Sequence, residues 1–491
     1  MKLFNYDSPT LQPLFHKWDE NCFGEIHEGA LAVLEKTGVL LHHPEAREIL
    51  KKAGGKIDGE MVYYPKELVN KSLEGVPDNF TMIGRDANKK YQIGPDYSYT
   101  LGLPSSVPFI GDTRNGIRST SSKDAIDIAK FFQESQLRPI VGHNPSEMTD
   151  IPLPVRHLHT TYNYIRYSDK PQAAYYTGEK NASKEILEMY AIAFGGQNSL
   201  KKSHMVQFVG SITSPLCLEY GLMDYCINFT KANQIITLIS TPTMGALCPA
   251  TYEGALIQSF AEVIAVTVIL QLIQPGIPTC WCVNPTPPDM KTLRWLMGSP
   301  EANLINSISS KMCNEFYGIP SISMAGTNDA KDFDIQLGIE LSQSFLLSIL
   351  SGSDSTIGCS IDSGNIKMLE QLVLEEEAYS RAMCIYDKIK NSYADKNKIK
   401  KAVEIIGEAG PLGNYMGHQS TFSEFRNFWR PFVSCWDNNK KWKDQGCISV
   451  ADRCYKIYRE RVKRASNNTL SSDIDRDLKE YLKKKEKDHL S

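Results

Sequence analysis

The feature that most constrains the fold of this chain is an alternation of short apolar stretches with longer helical stretches, which begins near Ser121. Stretches of strand length recur about 30 to 43 residues apart, as a parallel sheet with right-handed helical crossovers requires. The predicted strands are Pro139–Gly142, Gln172–Tyr176, Met205–Gly210, Gln234–Ile239, Ile277–Val283, Pro320–Ala325 and Ser355–Gly358. The predicted helices among them include Ser122–Glu134, Lys184–Phe194, Tyr252–Leu272, Glu301–Tyr317 and Asp334–Leu350.

One more strand would close these seven into a (β/α)8 TIM barrel, which is the α/β fold that we predict. Two segments can supply the eighth strand, Tyr97–Leu103 before the series and Asn414–Gly417 after it. A doubly wound open sheet is the alternative fold. It is less favoured because no glycine-rich dinucleotide-binding turn follows an early strand.

The segments that flank the predicted barrel differ from it in pattern. Residues 1–120 are predicted to form a helical N-terminal extension, residues 121–435 the barrel, and residues 436–491 a charged helical C-terminal tail. The helices predicted in the extension are Glu25–Lys36, a second from Pro44 to Ala53 and a third from Pro65 to Gly75. The tail carries a narrow apolar stripe of Ile474, Leu478, Tyr481 and Leu482. This stripe leaves two alternatives, a weakly docked helix and a contact within a homo-oligomer.

Charge and cysteine usage indicate where the protein works. A formal charge of −3 on 491 residues lacks the basic surplus of a nucleic-acid-binding protein. No pair among the 12 cysteines has the two-residue spacing of a zinc or redox site, so we expect free thiols in a reducing compartment. The N-terminus lacks an apolar export segment, and the longest apolar stretch, Phe260–Ile273, is short for a membrane span and contains Glu262 and Gln271. We therefore expect a soluble, cytoplasmic protein with no membrane partner.

The loops that follow the predicted strands are rich in aromatic and small neutral residues and poor in carboxylates and histidines. A glycosidase needs paired carboxylates at these ends, and only Asp329 is well placed. A zinc enzyme needs several ligands together, but His143 stands alone, and His157 and His159 point to different sides of a helix. Cys280 and Cys282 share a strand face without an evident third ligand. We therefore expect no directly bound metal.

An aromatic-lined site suits a quaternary ammonium ion, because such a cation has no N–H donors and is recognised by aromatic faces. Tyr99, Tyr176, Phe208 and Trp281 are the predicted substrate-binding aromatic residues, and packing within the barrel is the alternative for each. Trp281 comes late in its strand and is the strongest of the four. Strand alternation places it opposite Cys280 and Cys282, so it lines the barrel only if they do not.

The turn after the sixth predicted strand, Gly326-Thr327-Asn328-Asp329, is the most unusual strand end. Gly326 permits a rare backbone angle, and either Asn328 or Asp329 can cap the following helix. Capping does not require Lys331, which can orient Asp329 or a substrate. We therefore take Asn328, Asp329 and Lys331 as candidate catalytic residues.

Motifs along nearly the whole chain resemble those of the trimethylamine:corrinoid methyltransferase family, in the branch that lacks pyrrolysine. The matching segments include Leu34–Val39, Gly84–Asp86, Thr213–Leu216, Ala261–Val263, Gln271–Gly276, Gly298–Glu301, Tyr317–Pro320 and Ala325–Lys331. The resemblance implies a barrel enzyme that binds a methylated amine above the barrel mouth. It also implies methyl transfer to the Co(I) of cobalamin, a corrinoid carried by a separate corrinoid protein.

The resemblance also points to the substrate class. Trimethylamine-specific members carry pyrrolysine in the turn that looks like Gly326–Asp329, whereas this chain has ordinary residues there, with Asn328 the nearest counterpart. A quaternary amine expels a neutral tertiary amine and needs no such assistance, so a small, glycine betaine-like substrate is favoured. No Asp-x-His-x-x-Gly corrinoid-binding signature is present, which is why the corrinoid is expected on a partner.

Two other functions stay open from the sequence. One is a barrel lyase or isomerase acting on an amine-containing molecule, with His143 or Lys331 as general base. The other is a betaine-binding protein without transfer activity. The group that binds a substrate carboxylate is also open among His143, Asn328 and a main-chain amide.

Overall fold

The structure is a computed structural model that describes residues 18–95, 97, 99–104, 107–142, 147–391 and 395–491. Its N-terminal region combines helices with short antiparallel strands. The helices are α1 (Glu20–Ala32), α2 (Pro44–Lys52) and α3 (Lys66–Leu73). The strands are β1 (Val39–Leu41), β2 (Lys56–Asp58), β3 (Met61–Tyr63), β4 (Phe80–Ile83) and β5 (Lys90–Ile93). The three predicted helices are confirmed, whereas the strands were missed because three or four residues are too few to show a period-two pattern.

The rest of the chain contains the predicted alternation of strands and helices. The strands are β6 (Thr100–Pro104), β7 (Phe109–Asp112), β8 (Gly116–Ser119), β9 (Val141–Gly142), β10 (Gln172–Ala173), β11 (Val206–Ser211), β12 (Cys217–Leu218), β13 (Ile235–Ser240), β14 (Thr279–Val283), β15 (Ile322–Ser323), β16 (Ser355–Gly358) and β17 (Ile366–Met368). The helices up to residue 391 are α4 (Ser122–Glu134), α5 (Leu153–Tyr167), α6 (Ala182–Ala193), α7 (Gln197–Lys202), α8 (Tyr220–Lys231), α9 (Tyr252–Ile273), α10 (Pro300–Lys311), α11 (Ile335–Leu350) and α12 (Leu369–Asn391). All seven predicted strands are present, and most are shorter than their apolar stretches.

Eight parallel strands lie in one row. A five-stranded sheet has the order β14-β13-β11-β10-β9, and a three-stranded sheet has the order β15-β16-β6. The backbone N–H of Trp281 donates to the Pro320 carbonyl at 2.9 Å, and Trp281 forms a parallel bridge with Ser321. These contacts join the two sheets. Among the described residues, no ladder joins β6 to β9, so closure of the row into a barrel stays a prediction.

The eighth strand is β6, which pairs in parallel with β16. The segment Tyr97–Leu103 therefore supplies it, and residues 414–417 form no strand. Because β6 precedes residue 121, the parallel layer begins inside the segment that the sequence assigned to the N-terminal extension.

The two faces of the strand row bury different clusters. Val209, Ile239, Cys280 and Cys282 belong to an inner cluster, together with side chains of the β4–β5 hairpin. The Tyr91 hydroxyl of this hairpin donates to the Ser355 hydroxyl at 2.9 Å, at the start of β16. The hairpin therefore covers the N-terminal ends of the strands, and their C-terminal ends carry the candidate site.

Helix α9 is the longest apolar helix that packs against the strand row. It has 22 residues and a mean hydropathy of 2.0 in its most apolar window, values that also suit a membrane span. However, 78% of that window is buried inside the protein. Packing against the strands and the N-terminal helices accounts for its composition, as expected for a core helix.

The C-terminal region is helical. Its helices are α13 (Lys396–Ala409), α14 (Gln419–Glu424), α15 (Asn439–Asp444), α16 (Val450–Arg464) and α17 (Ser472–Leu490). The predicted tail helix is α17, and its Leu478 and Leu482 are buried. Asp475 accepts hydrogen bonds from Tyr162 and Arg166 of α5, each at 2.7 Å. Buried leucines and ion pairs thus dock the tail on the helices that surround the strand row, including α5.

Candidate functional site

The turn that follows β15 is paired with the loop that follows β16. Thr327 forms a parallel bridge with Ser360, and the Asn328 N–H donates to the Ser360 carbonyl at 3.1 Å. The Ser363 N–H donates back to the Asn328 carbonyl at 2.9 Å. Backbone hydrogen bonds therefore fix the turn at the C-terminal edge of the parallel layer.

The Asp329 carboxylate joins this turn to two other strand-end loops. It accepts hydrogen bonds from the Met297 and Gly298 N–H groups, at 3.2 and 2.8 Å, in the loop after β14. It also accepts one from the Ser363 hydroxyl at 2.7 Å, in the loop after β16. A single carboxylate thus sets the relative positions of three loops.

Neither Asn328 nor Asp329 caps the following helix. Helix α11 begins at Ile335, and the Asp334 side chain caps it by accepting a hydrogen bond from the Leu337 N–H at 3.2 Å. The capping interpretation of Asn328 and Asp329 is therefore wrong, because the turn ends before the helix starts.

The other two candidate catalytic residues of the turn differ in exposure. Asn328 is 1% exposed; its amide nitrogen donates to the Gly326 carbonyl at 3.1 Å, and its Oδ1 has no hydrogen-bond partner among the described residues. Lys331 is exposed, and its ammonium group lies 2.5 Å from the Asp329 carbonyl and 3.1 Å from Asp362. Asp362 also pairs with Arg294.

A buried charged network supports the turn from behind. Gly326 has a φ of 96°, and a Cβ at this position would lie 2.9 Å from a Glu375 carboxylate oxygen. Glu375 accepts hydrogen bonds from Arg138 at 2.9 Å and Gln371 at 3.0 Å, and Gln371 also donates to the Gly326 carbonyl. Burial raises the pKa of Glu375, and the Arg138 guanidinium opposes that rise. Burial also lowers the pKa of the neighbouring Lys367 to about 8.

A second buried carboxylate, Glu262 of α9, fixes the strand ends on the other side. It accepts hydrogen bonds from the Ser214 hydroxyl at 2.8 Å, the Leu216 N–H at 3.0 Å and the Ser240 hydroxyl at 2.6 Å. Gln258 donates a fourth at 3.0 Å. Burial raises the pKa of Glu262, and these donors favour its ionised form.

Sequence reasoning missed this supporting role of Glu262, Arg138 and Glu375. A signal was present for the two glutamates, because an acid inside an apolar helix or in a Glu375-Glu376-Glu377 run is costly to bury unless it has partners. Arg138 gave no comparable signal, since it lies in a short polar segment before a strand.

Trp281 faces away from the inner cluster. Its indole N–H donates to the Thr267 hydroxyl at 3.0 Å, and its ring centroid lies 6.2 Å from Phe260 and 5.1 Å from Tyr317. Cys280 and Cys282 occupy the inner face, as the alternation along the strand requires. Trp281 is thus fully buried between the strands and the helices.

The other three predicted aromatic residues lie in two places. Tyr176 and Phe208 are 5.8 Å apart and pack on Tyr225 of α8, at 5.2 and 4.8 Å. Tyr99 precedes β6 and so lies at the N-terminal end of that strand, whereas Tyr176 follows the C-terminal end of β10. The Tyr99 hydroxyl is 3.2 Å from the Ser348 hydroxyl. The structure therefore brings Tyr176 and Phe208 together but brings neither Tyr99 nor Trp281 to them.

An aromatic residue that the sequence analysis did not select lies where β9 and β10 end. The Tyr175 hydroxyl donates to Glu147 at 3.2 Å, and Arg156 donates to the same carboxylate oxygen at 3.0 Å. Burial raises the pKa of Tyr175, so it is a neutral donor. The predicted substrate-binding residue His143 lies outside the described residues.

Three potential metal ligands from separate parts of the chain meet in the helical layer. The Nε2 atoms of His157 and His489 lie 2.8 and 2.9 Å from one Glu185 oxygen, and Lys485 lies 3.1 Å from the other. Burial opposes ionisation of Glu185, but the hydrogen bonds from these three residues outweigh it and lower its pKa to about 2. Sequence spacing did not reveal this group, because His489 comes from the C-terminal helix.

Comparison with known proteins gives matches over most of the chain. Glycine betaine methyltransferase of Desulfitobacterium hafniense is 27% identical, with 97% of this chain and 98% of that protein covered. L-carnitine:corrinoid methyltransferase of Eubacterium limosum is 26% identical, with 89% and 90% covered. Trimethylamine methyltransferase MttB of Methanosarcina barkeri is 25% identical, with 94% and 93% covered.

A solved structure supports the α/β fold. Monomethylamine methyltransferase (MtmB) of Methanosarcina barkeri matches with a TM-score of 0.51 at 11% sequence identity, over 95% of this chain and 92% of that chain. The family model described as trimethylamine methyltransferase (MTTB) matches residues 7–489. The chain therefore belongs to the trimethylamine methyltransferase (MTTB) family.

Proposed function

We propose that this protein transfers a methyl group from a small, glycine betaine-like quaternary amine to the reduced corrinoid of a separate corrinoid protein. The parallel strands would close into a barrel, with the amine bound at their C-terminal ends. Relatives named for glycine betaine, L-carnitine and proline betaine support this substrate class.

The observation that carries the proposal is that two carboxylates at the strand ends are already hydrogen-bonded by the protein. Asp329 accepts three hydrogen bonds and Glu262 accepts four from the protein itself. Carboxylates that are occupied in this way hold loops in place and are poorly suited to exchange protons with a substrate. The lyase or isomerase alternative needs a general base. Of its two candidates, Lys331 is paired with Asp362, and His143 lies outside the described residues.

Methyl transfer from a quaternary amine fits such a site. A reduced corrinoid supplies a strong nucleophile for the methyl carbon, and the tertiary amine leaves with the electron pair of the C–N bond. No proton moves, so the task of this chain is to hold the methyl group in line and exclude water.

Asn328 offers a contact for the cation. Its Oδ1 is buried, has no hydrogen-bond partner among the described residues and lies in the turn at the strand ends. The methyl hydrogens of a quaternary ammonium ion carry partial positive charge and can meet such an oxygen without an N–H group. We therefore assign Asn328 to the substrate site and Asp329 to the positioning of its loops.

The surface around the strand ends suits a docking protein. Exposed apolar side chains follow β9, β13, β14 and β15 in the loops or at the helix N-termini of this edge, namely Leu153, Leu247, Met290, Leu293 and Ile335. These side chains offer apolar contacts to a partner that binds transiently. A corrinoid protein seated there would present its cofactor to the turn of Asn328.

The direct test is to incubate the protein with its reduced corrinoid protein and a panel of methylated amines. We expect a change in corrinoid absorbance with glycine betaine, carnitine or proline betaine, and none with trimethylamine. Tight binding of a betaine without any absorbance change would support the binding-protein alternative. Turnover of trimethylamine alone would contradict the quaternary-amine assignment.

A further inference from the structure

Helix α13 has an apolar stripe that the described chain does not cover. Ile399, Val403 and Ile406 recur at helical spacing and are 54%, 63% and 60% exposed. No residue of α13 is buried. A helix of 14 residues is marginal in water, and most helices in proteins are stabilised by packing an apolar face. The stripe therefore indicates a missing neighbour.

The charges of α13 oppose its own dipole. Lysines at positions 396, 398, 400 and 401 fill its N-terminal half, and Glu404 and Glu408 lie in its C-terminal half. Cations near a helix N-terminus and anions near its C-terminus are unfavourable, although the N-cap Asp395 offsets part of this. An antiparallel second helix with the same sequence reverses the situation, because each lysine-rich half then lies beside the glutamate-bearing half of its partner.

The position of α13 separates it from the proposed corrinoid surface. Tyr386 and Lys390, near the end of α12, line a cavity with Ile319 and Asp354. The latter two residues precede β15 and β16, so α12 ends at the N-terminal side of the strand row. Asp395 follows Asn391 by four residues, which limits their separation to about 14 Å. A partner seated over the C-terminal strand ends would leave α13 exposed.

We propose that α13 pairs antiparallel with α13 of a second copy of this chain, around a two-fold axis near Val403. A two-fold axis makes one surface serve both subunits, so a single amphipathic helix with opposite charges in its halves is sufficient. Exposed Ile385 and Ile389 of α12 extend the apolar surface toward the same end of the molecule. This inference does not depend on the proposed function.

The mass of the full-length protein in solution, measured by sedimentation over a series of micromolar concentrations, tests the pairing. We expect a dimer, and we expect Val403→Asp to convert it to a monomer with an unchanged circular dichroism spectrum. Leu153→Asp, an exposed apolar residue outside α13, is the matched control and should stay dimeric. A wild-type monomer, or a dimer that survives Val403→Asp, would overturn the proposal.

A charge exchange tests the antiparallel direction. Lys400→Glu with Lys401→Glu should weaken dimerisation by about tenfold or more, because like charges then face each other. Adding Glu404→Lys and Glu408→Lys should restore it, since the opposite halves again match. Failure of this rescue would exclude antiparallel pairing. If the wild-type chain is a monomer and Val403→Asp weakens its binding to the corrinoid protein, the occupant is that protein and the proposal is wrong.

Discussion

The turn after β15 and the aromatic layer around Trp281 both lie against the strand row, yet their side chains do different work. In the turn, Asp329 accepts hydrogen bonds from two other loops, so each loop depends on the others for its position. Around Trp281, Phe260 and Tyr317 fill the space between strands and helices. The comparison teaches that position decides the role: a side chain beyond the C-terminal strand ends joins loops, whereas one on the outer face of a strand packs against helices.

The largest expected effect tests the aromatic side of this comparison. Trp281→Ala should lower the free energy of unfolding by about 3–5 kcal/mol, because it leaves a cavity and removes the hydrogen bond from the indole to the Thr267 hydroxyl. Urea unfolding followed by circular dichroism measures the loss. Trp281→Phe keeps much of the packing and should cost less.

A different result would contradict the assignment of Trp281 to core packing. If Trp281→Ala keeps its stability but binds a quaternary amine about 1–2 kcal/mol more weakly, Trp281 belongs to a cation–π cage, as the sequence predicted. Calorimetric titration of the folded variant with glycine betaine distinguishes the two outcomes.

The next effect concerns the buried carboxylate of α9. Glu262→Gln should destabilise the protein by about 1.5–3 kcal/mol, since an amide cannot accept all four hydrogen bonds that the carboxylate receives. Thermal and urea unfolding measure this change. Glu253→Gln, an exposed position on the same helix, should cost less than about 1 kcal/mol. Equal losses in the two variants would mean that Glu262 is an ordinary helix residue.

The polar turn is tested through the reaction rate. Asp329→Asn should reduce methyl transfer at least about tenfold, or about 1.4 kcal/mol of transition-state stabilisation, with little change in melting temperature. The asparagine amide faces at least one N–H donor, so the loops after β14 and β16 shift relative to the turn. The rate of the corrinoid absorbance change measures the effect.

Asp334→Asn is the matched control for this prediction. Asp334 caps α11, and asparagine caps a helix as well as aspartate does, so both rate and melting temperature should stay near wild type. A normal rate for Asp329→Asn would mean that the turn has only a structural role and that Asp329 does not position the substrate site.

The sequence predicted the strand row well because its signal is local. Helix α4 and strand β16 have the predicted bounds, since an apolar run between polar boundaries is visible without any knowledge of the partner strands. The turn at Gly326 was also found, because a glycine followed by Asn328 and Asp329 after an apolar strand is a strong loop signal.

The geometry of the site was harder to predict because it depends on distant contacts. Trp281 was placed near the substrate from its late position in a strand, but the choice between its two faces depends on helices that pack from elsewhere in the chain. Asp329 was interpreted as a possible cap, whereas its partners Gly298 and Ser363 come from other loops. Local patterns cannot reveal such partners.

The remaining comparison is between the carboxylates at the strand ends and Glu185 in the helical layer. Glu185 also gathers several donors, but they come from the C-terminal helix α17 as well as from α5. If a carboxylate with many donors always fixes the parts that it joins, Glu185 should hold α17 in place. The pKa of Glu185 gives this idea a pH dependence.

The smallest expected effect is confined to α17. Because the pKa of Glu185 is lowered from 4.5 to about 2, its contribution is fully present above pH 4.5 and is lost as the pH falls toward 2. Amide hydrogen exchange of residues 472–490, corrected for intrinsic rates, should therefore stay slow at pH 4 in the wild-type protein. Glu185→Gln should speed this exchange at pH 7 while changing global stability by less than about 1 kcal/mol, because a terminal helix opens locally. Glu188→Gln, which removes one acceptor for Tyr481, should have a weaker effect. Loss of protection already between pH 7 and 5 would contradict the assignment of this docking to Glu185.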